Sequence, residues 1–163
     1  DGPTKEDYVW GFRGGFITFA SPALDAPRHD ALVKKLMGVI RSSISNSAAP
    51  TQYMLLKAMA NPSYDVQKAE YEAILERRYR AVKAYLASHR APDTLKVLPF
   101  NSGYFMCFEC KGISAEALRL KLLDQGVGTI SIQDTWLRVA FSSVEEGQVP
   151  ELYDAIYAAA GNM

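Results

Sequence analysis

Thr4-Lys5-Glu6-Asp7 is followed, eight residues after the lysine, by Arg13-Gly14-Gly15 and the apolar run Phe16-Ile17-Thr18-Phe19. A lysine amine can condense with an aldehyde, a guanidinium can grip a phosphate at two points, and glycines let backbone approach a ligand closely. Taken singly, each residue has a plainer reading. Thr4 with a carboxylate three residues on resembles a helix capping box, and an isolated lysine or arginine is ordinarily a solvated surface group. The combination distinguishes the segment: lysine, arginine, paired glycines, an apolar run over 16–20 read as a short buried strand, then a helix.

Outward from this stretch, Ser21-Pro22 ends the strand, and Leu32, Val33, Leu36, Met37 and Ile40 recur at spacings of three and four, which predicts an amphipathic helix from Arg28 to about Arg41. A polar loop, Ser42 to Ser47, leads through Pro50 to a second helix over about Thr51 to Met59, and Asn61-Pro62-Ser63 punctuates the chain. The longest helix is expected from about Tyr64 to His89, with its Glu and Arg run as a solvated face in which Glu76 and Arg80 sit one turn apart. After Ala91-Pro92-Asp93 the texture becomes α+β. Strands are expected at Val97-Leu98, Tyr104–Phe108, Gly128–Ile132 and Trp136–Phe141. A helix capped by Ser114 should stop at Gly126, and a final helix should run from about Val149 to Ala160.

Composition narrows the function classes. Eighteen basic and 18 acidic side chains in 163 residues leave no field to attract nucleic acid or anionic lipid, so neither partner is expected. No apolar run is long enough to span a bilayer and no signal-peptide pattern is present, so the chain reads as cytoplasmic. Cys107 and Cys110 form a C-x-x-C on an expected strand, where residues three apart face opposite sides. With no second ligand pair, no metal site is expected and both thiols read as structural. His29 and His89 are too isolated for a serine–histidine–carboxylate or metal constellation.

Three further stretches could carry chemistry. Arg138 lies in Trp136-Leu137-Arg138-Val139-Ala140-Phe141, and an arginine in an apolar strand calls for an anionic partner, either an internal carboxylate such as Asp134 or Glu145 or a bound anion. Arg41, at a helix end beside Ser42-Ser43-Ile44-Ser45-Asn46, meets the negative end of the helix dipole. Asn101-Ser102-Gly103-Tyr104-Phe105 places a glycine turn before a strand.

Together these segments resemble the C-terminal part of a fold-type I pyridoxal-phosphate-dependent class I/II aminotransferase. The resemblance implies an α/β fold in three parts. Residues 1–62 would be the C-terminal part of the large PLP-binding domain, 63–92 a long connecting helix, and 93–163 a small C-terminal α+β domain. It implies pyridoxal 5'-phosphate as cofactor, Lys5 as the catalytic Schiff-base lysine, and Arg13 on the cofactor phosphate. It also implies Arg138 on the substrate α-carboxylate, and Arg41 in the segment that reaches a second substrate carboxylate across a dimer interface. Two departures stand out: Gly14 replaces a usual apolar residue, and Gly2 stands where many members carry a phosphate-binding Ser or Thr.

The function so implied is amino-group transfer between an amino acid and a 2-oxo acid, in a homodimer. The alternatives are a fold-type I lyase or decarboxylase acting on an amino acid, and a non-catalytic fragment or interaction domain that binds no cofactor. The family's ring-stacking aromatic, pyridine-binding aspartate and glycine-rich phosphate turn all precede the lysine. The chain is therefore expected to be a fragment, with apolar surface that favours self-association.

Overall fold

The computed structural model describes residues 2–101 and 103–163; Asp1, and Ser102 within the expected glycine–aromatic turn, lie outside them. The chain divides into two compact units, one up to Ala69 and the other Glu70–Met163.

The first unit is helical: α1 (Pro3–Glu6), a 3₁₀ turn at Trp10–Phe12, α2 (Ala26–Ser43), α3 (Ala49–Met59) and the beginning of α4 (Tyr64–Ser88). Asp25 caps α2 by accepting from the Arg28 N–H at 2.9 Å, so the helix starts two residues before the apolar periodicity shows it. Pro50 sits inside the first turn of α3, where its missing N–H costs nothing, rather than ahead of the helix. Among the described residues of this unit only Pro3 and Leu55 are buried, and α2 buries none of its side chains.

The expected buried strand over 16–20 is not found. Those residues are irregular and exposed, Phe16 by 60% and Ile17 by 70%. A strand is a property of a pair, and the four strands of the described residues all lie between Leu95 and Val139. The capping-box reading of Thr4 also fails, because Thr4 lies within α1, whose N-cap is Gly2 with no side-chain cap.

The second unit is mixed α/β. β1 (Leu95–Val97), β2 (Met106–Cys110), β3 (Ile130–Ile132) and β4 (Trp136–Val139) form an antiparallel sheet in the order β1-β2-β4-β3, accompanied by α5 (Ala115–Asp124) and α6 (Val149–Gly161). Ser114 caps α5 as its sequence predicts, and Gly126 takes the positive φ of 81° that ends it. Strand alternation places Met106, Phe108 and Cys110 of β2 with Leu137 and Val139 of β4 in the core. They join Val82 and Tyr85 of α4, Leu118 and Leu122 of α5, and Tyr153 and Ile156 of α6. Phe108 is fully buried between the rings of Tyr153 and Tyr157, at 6.1 and 6.0 Å. Burying such a side chain contributes about 1.5–3 kcal/mol.

The charge run of α4 is not wholly a solvated face. Arg80 pairs with Glu76 as expected, but Arg78, largely buried, donates to the Ser142 carbonyl and to Glu145 at 2.8 Å. It thereby ties the turn after β4 to the helix. On α5, Glu116 accepts from Arg119 Nε at 2.8 Å and from the Ser131 hydroxyl of β3, which together hold its carboxyl down to about 2. A carboxyl depressed in the folded state contributes stability above its ordinary range, lost as pH falls toward 2. Glu116→Gln should therefore flatten the acid limb of the stability–pH curve below about pH 4.5, read by urea unfolding. An unchanged acid limb would dispose of this account.

Candidate functional site

The lysine-bearing segment is folded back on itself. The Thr4 hydroxyl donates to the Gly14 carbonyl at 3.2 Å, bringing α1 against the glycine pair that follows Arg13. Gly2 has extended backbone (φ −174°), which any residue adopts, so proximity rather than backbone conformation is what favours glycine here. A Cβ at Gly2 would stand 3.2 Å from the Gly14 carbonyl oxygen and 3.4 Å from Gly15 Cα. A larger side chain at this position would need the backbone at Gly14 and Gly15 to give by a few tenths of an ångström.

Arg13 takes a left-handed conformation (φ 53°) that turns the chain from the 3₁₀ turn into Gly14. Its guanidinium donates to the Trp10 carbonyl at 3.4 Å, a long bond that engages one of its five donors. Behind it, Thr51 in the first turn of α3 donates to the Phe12 carbonyl at 2.9 Å. Lys5 and Arg13 are both exposed, so an amine and a guanidinium stand on one closed loop of chain.

Asp7, the C-cap residue of α1, entered the sequence reading only as the carboxylate of a capping box. Its carboxylate accepts from the Tyr64 hydroxyl and from Lys68 Nζ at 3.1 Å, anchoring the end of α1 to the start of α4. The hydrogen bond to Asp7 is also the main reason the Lys68 ammonium and the Tyr64 hydroxyl both titrate above their ordinary values. Residues separated by more than fifty positions gave no local signal of this cluster.

Arg41 sits in the last turn of α2, exposed, with Nη1 donating to the Ser45 hydroxyl. Arg138 belongs to the second unit. Its cross-strand neighbours are Cys107 on β2 and Ile130 on β3, on the sheet face opposite the core. Both expected internal carboxylates are engaged by other groups. Asp134 accepts from the Ser114 hydroxyl and the Glu116 N–H at 2.8 Å, and Glu145 is held by Arg78. Among the described residues Arg138 forms no ion pair; its Cζ lies 4.5 Å from the centroid of the Phe105 ring. Burial pushes the Cys107 thiol up while Arg138 pulls it down, and burial prevails, so Cys107 remains a neutral neighbour. Cys110 is buried on the other face, and both cysteines are free, as the strand alternation requires. No cluster of His, Cys, Asp and Glu among the described residues could hold a metal ion, and none of their helices is long and apolar enough to cross a membrane.

The closeness of Gly14 to α3 is testable. An alanine Cβ there would stand 3.1 Å from Thr51 Cγ2, so that methyl would have to give by a few tenths of an ångström. Gly14→Ala should lower stability, and Thr51→Ser, which deletes the methyl and keeps the hydroxyl bond to Phe12, should relieve the loss in a double-mutant cycle. Equal cost in both backgrounds would refute the contact.

A family model for aminotransferase class I and II matches residues 8–156, a span that begins after Lys5 and includes Arg13, Arg41 and Arg138. No curated protein matches the sequence significantly. Several solved structures share the fold. An aminotransferase from Anaerococcus prevotii superposes with a TM-score of 0.69 at 18% identity, over 96% of this chain and 36% of that one. MJ0684 from Methanococcus jannaschii gives 0.69 at 17% identity, over 98% and 41%. LysN, an alpha-aminoadipate aminotransferase of Thermus thermophilus solved with N-(5'-phosphopyridoxyl)-L-leucine, gives 0.66 at 17%, over 82% and 36%. The chain thus spans 36–41% of the length of these proteins. With the family match extending from the segment ahead of Arg13 to the last helix, the chain belongs to the class I and II aminotransferases.

Proposed function

We propose that this chain is the lysine- and arginine-bearing part of an aminotransferase that uses pyridoxal 5'-phosphate to move an amino group from an amino acid to a 2-oxo acid. The observation that carries the reading is the family match over residues 8–156. The cofactor reading is supported by LysN, whose structure holds a phosphopyridoxyl adduct of leucine. The chain's own residues suit such a group: an exposed amine and an exposed guanidinium on one closed loop, over backbone kept bare of side chains at Gly2 and Gly14. That set matches an aldehyde that carries a phosphate.

In this reading Lys5 would hold the cofactor covalently through its amine and, once displaced by the substrate amine, move the proton at the amino acid Cα. Arg13 would neutralise the phosphate. Arg138, with no carboxylate of its own among the described residues, would orient the substrate α-carboxylate through its in-plane donors. Arg41 would meet a second carboxylate on an acidic substrate. The bound cofactor supplies the electron sink, and the protein supplies position and charge. Residues 1–62, 63–92 and 93–163 serve as large-domain part, connecting helix and small domain of a cytoplasmic homodimer. The exposed Trp10, Phe16, Ile17, Met37 and Ile44 are consistent with further packing partners for the first unit.

Incubation of the chain with pyridoxal phosphate, borohydride reduction and peptide mapping should place the dominant adduct at Lys5; labelling spread evenly over Lys34, Lys68 and Lys83 would count against a selective site. In an enzyme that contains this chain, a new amino acid should form only when a 2-oxo acid acceptor is added, whereas ammonia or CO2 released without an acceptor would point to lyase chemistry instead.

A further inference from the structure

Arg138 is held in a way that leaves its hydrogen-bonding edge unspent. A guanidinium offers five N–H donors in its plane, and a carboxylate neighbour would consume two of them in a bidentate pair. Here the acids nearest in sequence are engaged by other groups: Asp134 by Ser114 and the Glu116 N–H, Glu145 by Arg78. Cys107, opposite in register, is kept neutral by burial. The contact that Arg138 does make is to the ring of Phe105, its Cζ 4.5 Å from the centroid. An aromatic face attracts the cation through its quadrupole and consumes none of its donors in a bidentate pair of the kind a carboxylate makes. Phe105 is placed for this by the chain itself. It precedes β2 by one residue, shares the face of Cys107 two positions on, and follows Gly103, whose φ of 89° makes the turn.

We propose that Phe105 is a positioning residue for Arg138, holding the guanidinium against the aromatic ring so that its in-plane donors remain available to a carboxylate ligand. The proposal rests on the carboxylate-binding reading of Arg138 given above. It adds that the aromatic ring, and not an acidic side chain, fixes the arginine.

The test uses the whole 163-residue chain labelled with ¹⁵N at arginine, with acetate as the carboxylate probe. In the unmodified chain the Arg138 Nε–Hε resonance should be shifted upfield by the ring and should move on acetate addition. Phe105→Leu, which keeps an apolar side chain but removes the aromatic face, should abolish the upfield shift and weaken acetate binding about two- to fivefold. Phe105→Tyr should restore both. Absence of the upfield shift in the unmodified chain overturns the proposal without recourse to any variant. So does a Phe105→Leu chain that binds acetate as tightly as the original, or a Phe105→Tyr chain as impaired as Phe105→Leu, since the effect would then be one of packing. Arg138→Gln separates the two levels. If it leaves acetate binding unchanged, the carboxylate reading fails and the proposal goes with it. If it abolishes binding while Phe105→Leu is silent, the role of Phe105 alone is lost.

Discussion

The antiparallel pairing of β2 with β4 is the constraint on which the second unit depends. One register, Met106 with Val139, Cys107 with Arg138 and Phe108 with Leu137, sorts side chains onto two faces with different tasks. Phe108, Met106, Leu137 and Val139 go inward, where Tyr153, Leu118 and Val82 meet them. Cys107 and Arg138 go outward. A slip of one residue would bury the guanidinium and expose the core at the same moment, so the sheet face on which Arg138 stands is secured by the hydrophobic energy of its neighbours.

The first unit is held by a different kind of interaction. It buries almost nothing among its described residues, and the lysine segment owes its shape to a few hydrogen bonds: Thr4 to Gly14, Thr51 to Phe12, and Tyr64 and Lys68 to Asp7. Bonds of this sort contribute about 0.5–1.5 kcal/mol each, more where a charge is involved. Glycine at positions 2 and 14 suits this close approach, because a Cβ at either would stand 3.1–3.2 Å from the facing Thr51 methyl or Gly14 carbonyl oxygen. The two units therefore present their cations differently, Lys5 and Arg13 on a loop tied by polar contacts, Arg138 on a strand backed by a packed core.

Much of this was legible locally. Helix starts and stops are written in short-range chemistry, which is why Ser114, Gly126 and the apolar spacing of 32–40 located α5 and α2 to within a few residues. The run Phe16–Phe19 misled for the complementary reason: its composition suits a strand, but a strand forms only where another pairs with it. Arg77 and Arg78 were read as part of a solvated run, yet they meet Glu146 and Glu145 some seventy residues on. Nothing in the spacing of charges along one helix announces such a partner.

The sequence by itself determined the family, whose model matches residues 8–156, and it determined most helices, because cap chemistry and apolar period act over a single turn. Only the tertiary structure decided what those residues touch. That Arg138 rests on Phe105 and not on Asp134 or Glu145 follows from where α5 and α4 claim the two acids. That a side chain at Gly2 would crowd the backbone follows from how closely Gly14 folds back upon it. Both are contests between distant groups for the same space or the same charge, and a linear pattern records the contestants without recording which of them meet.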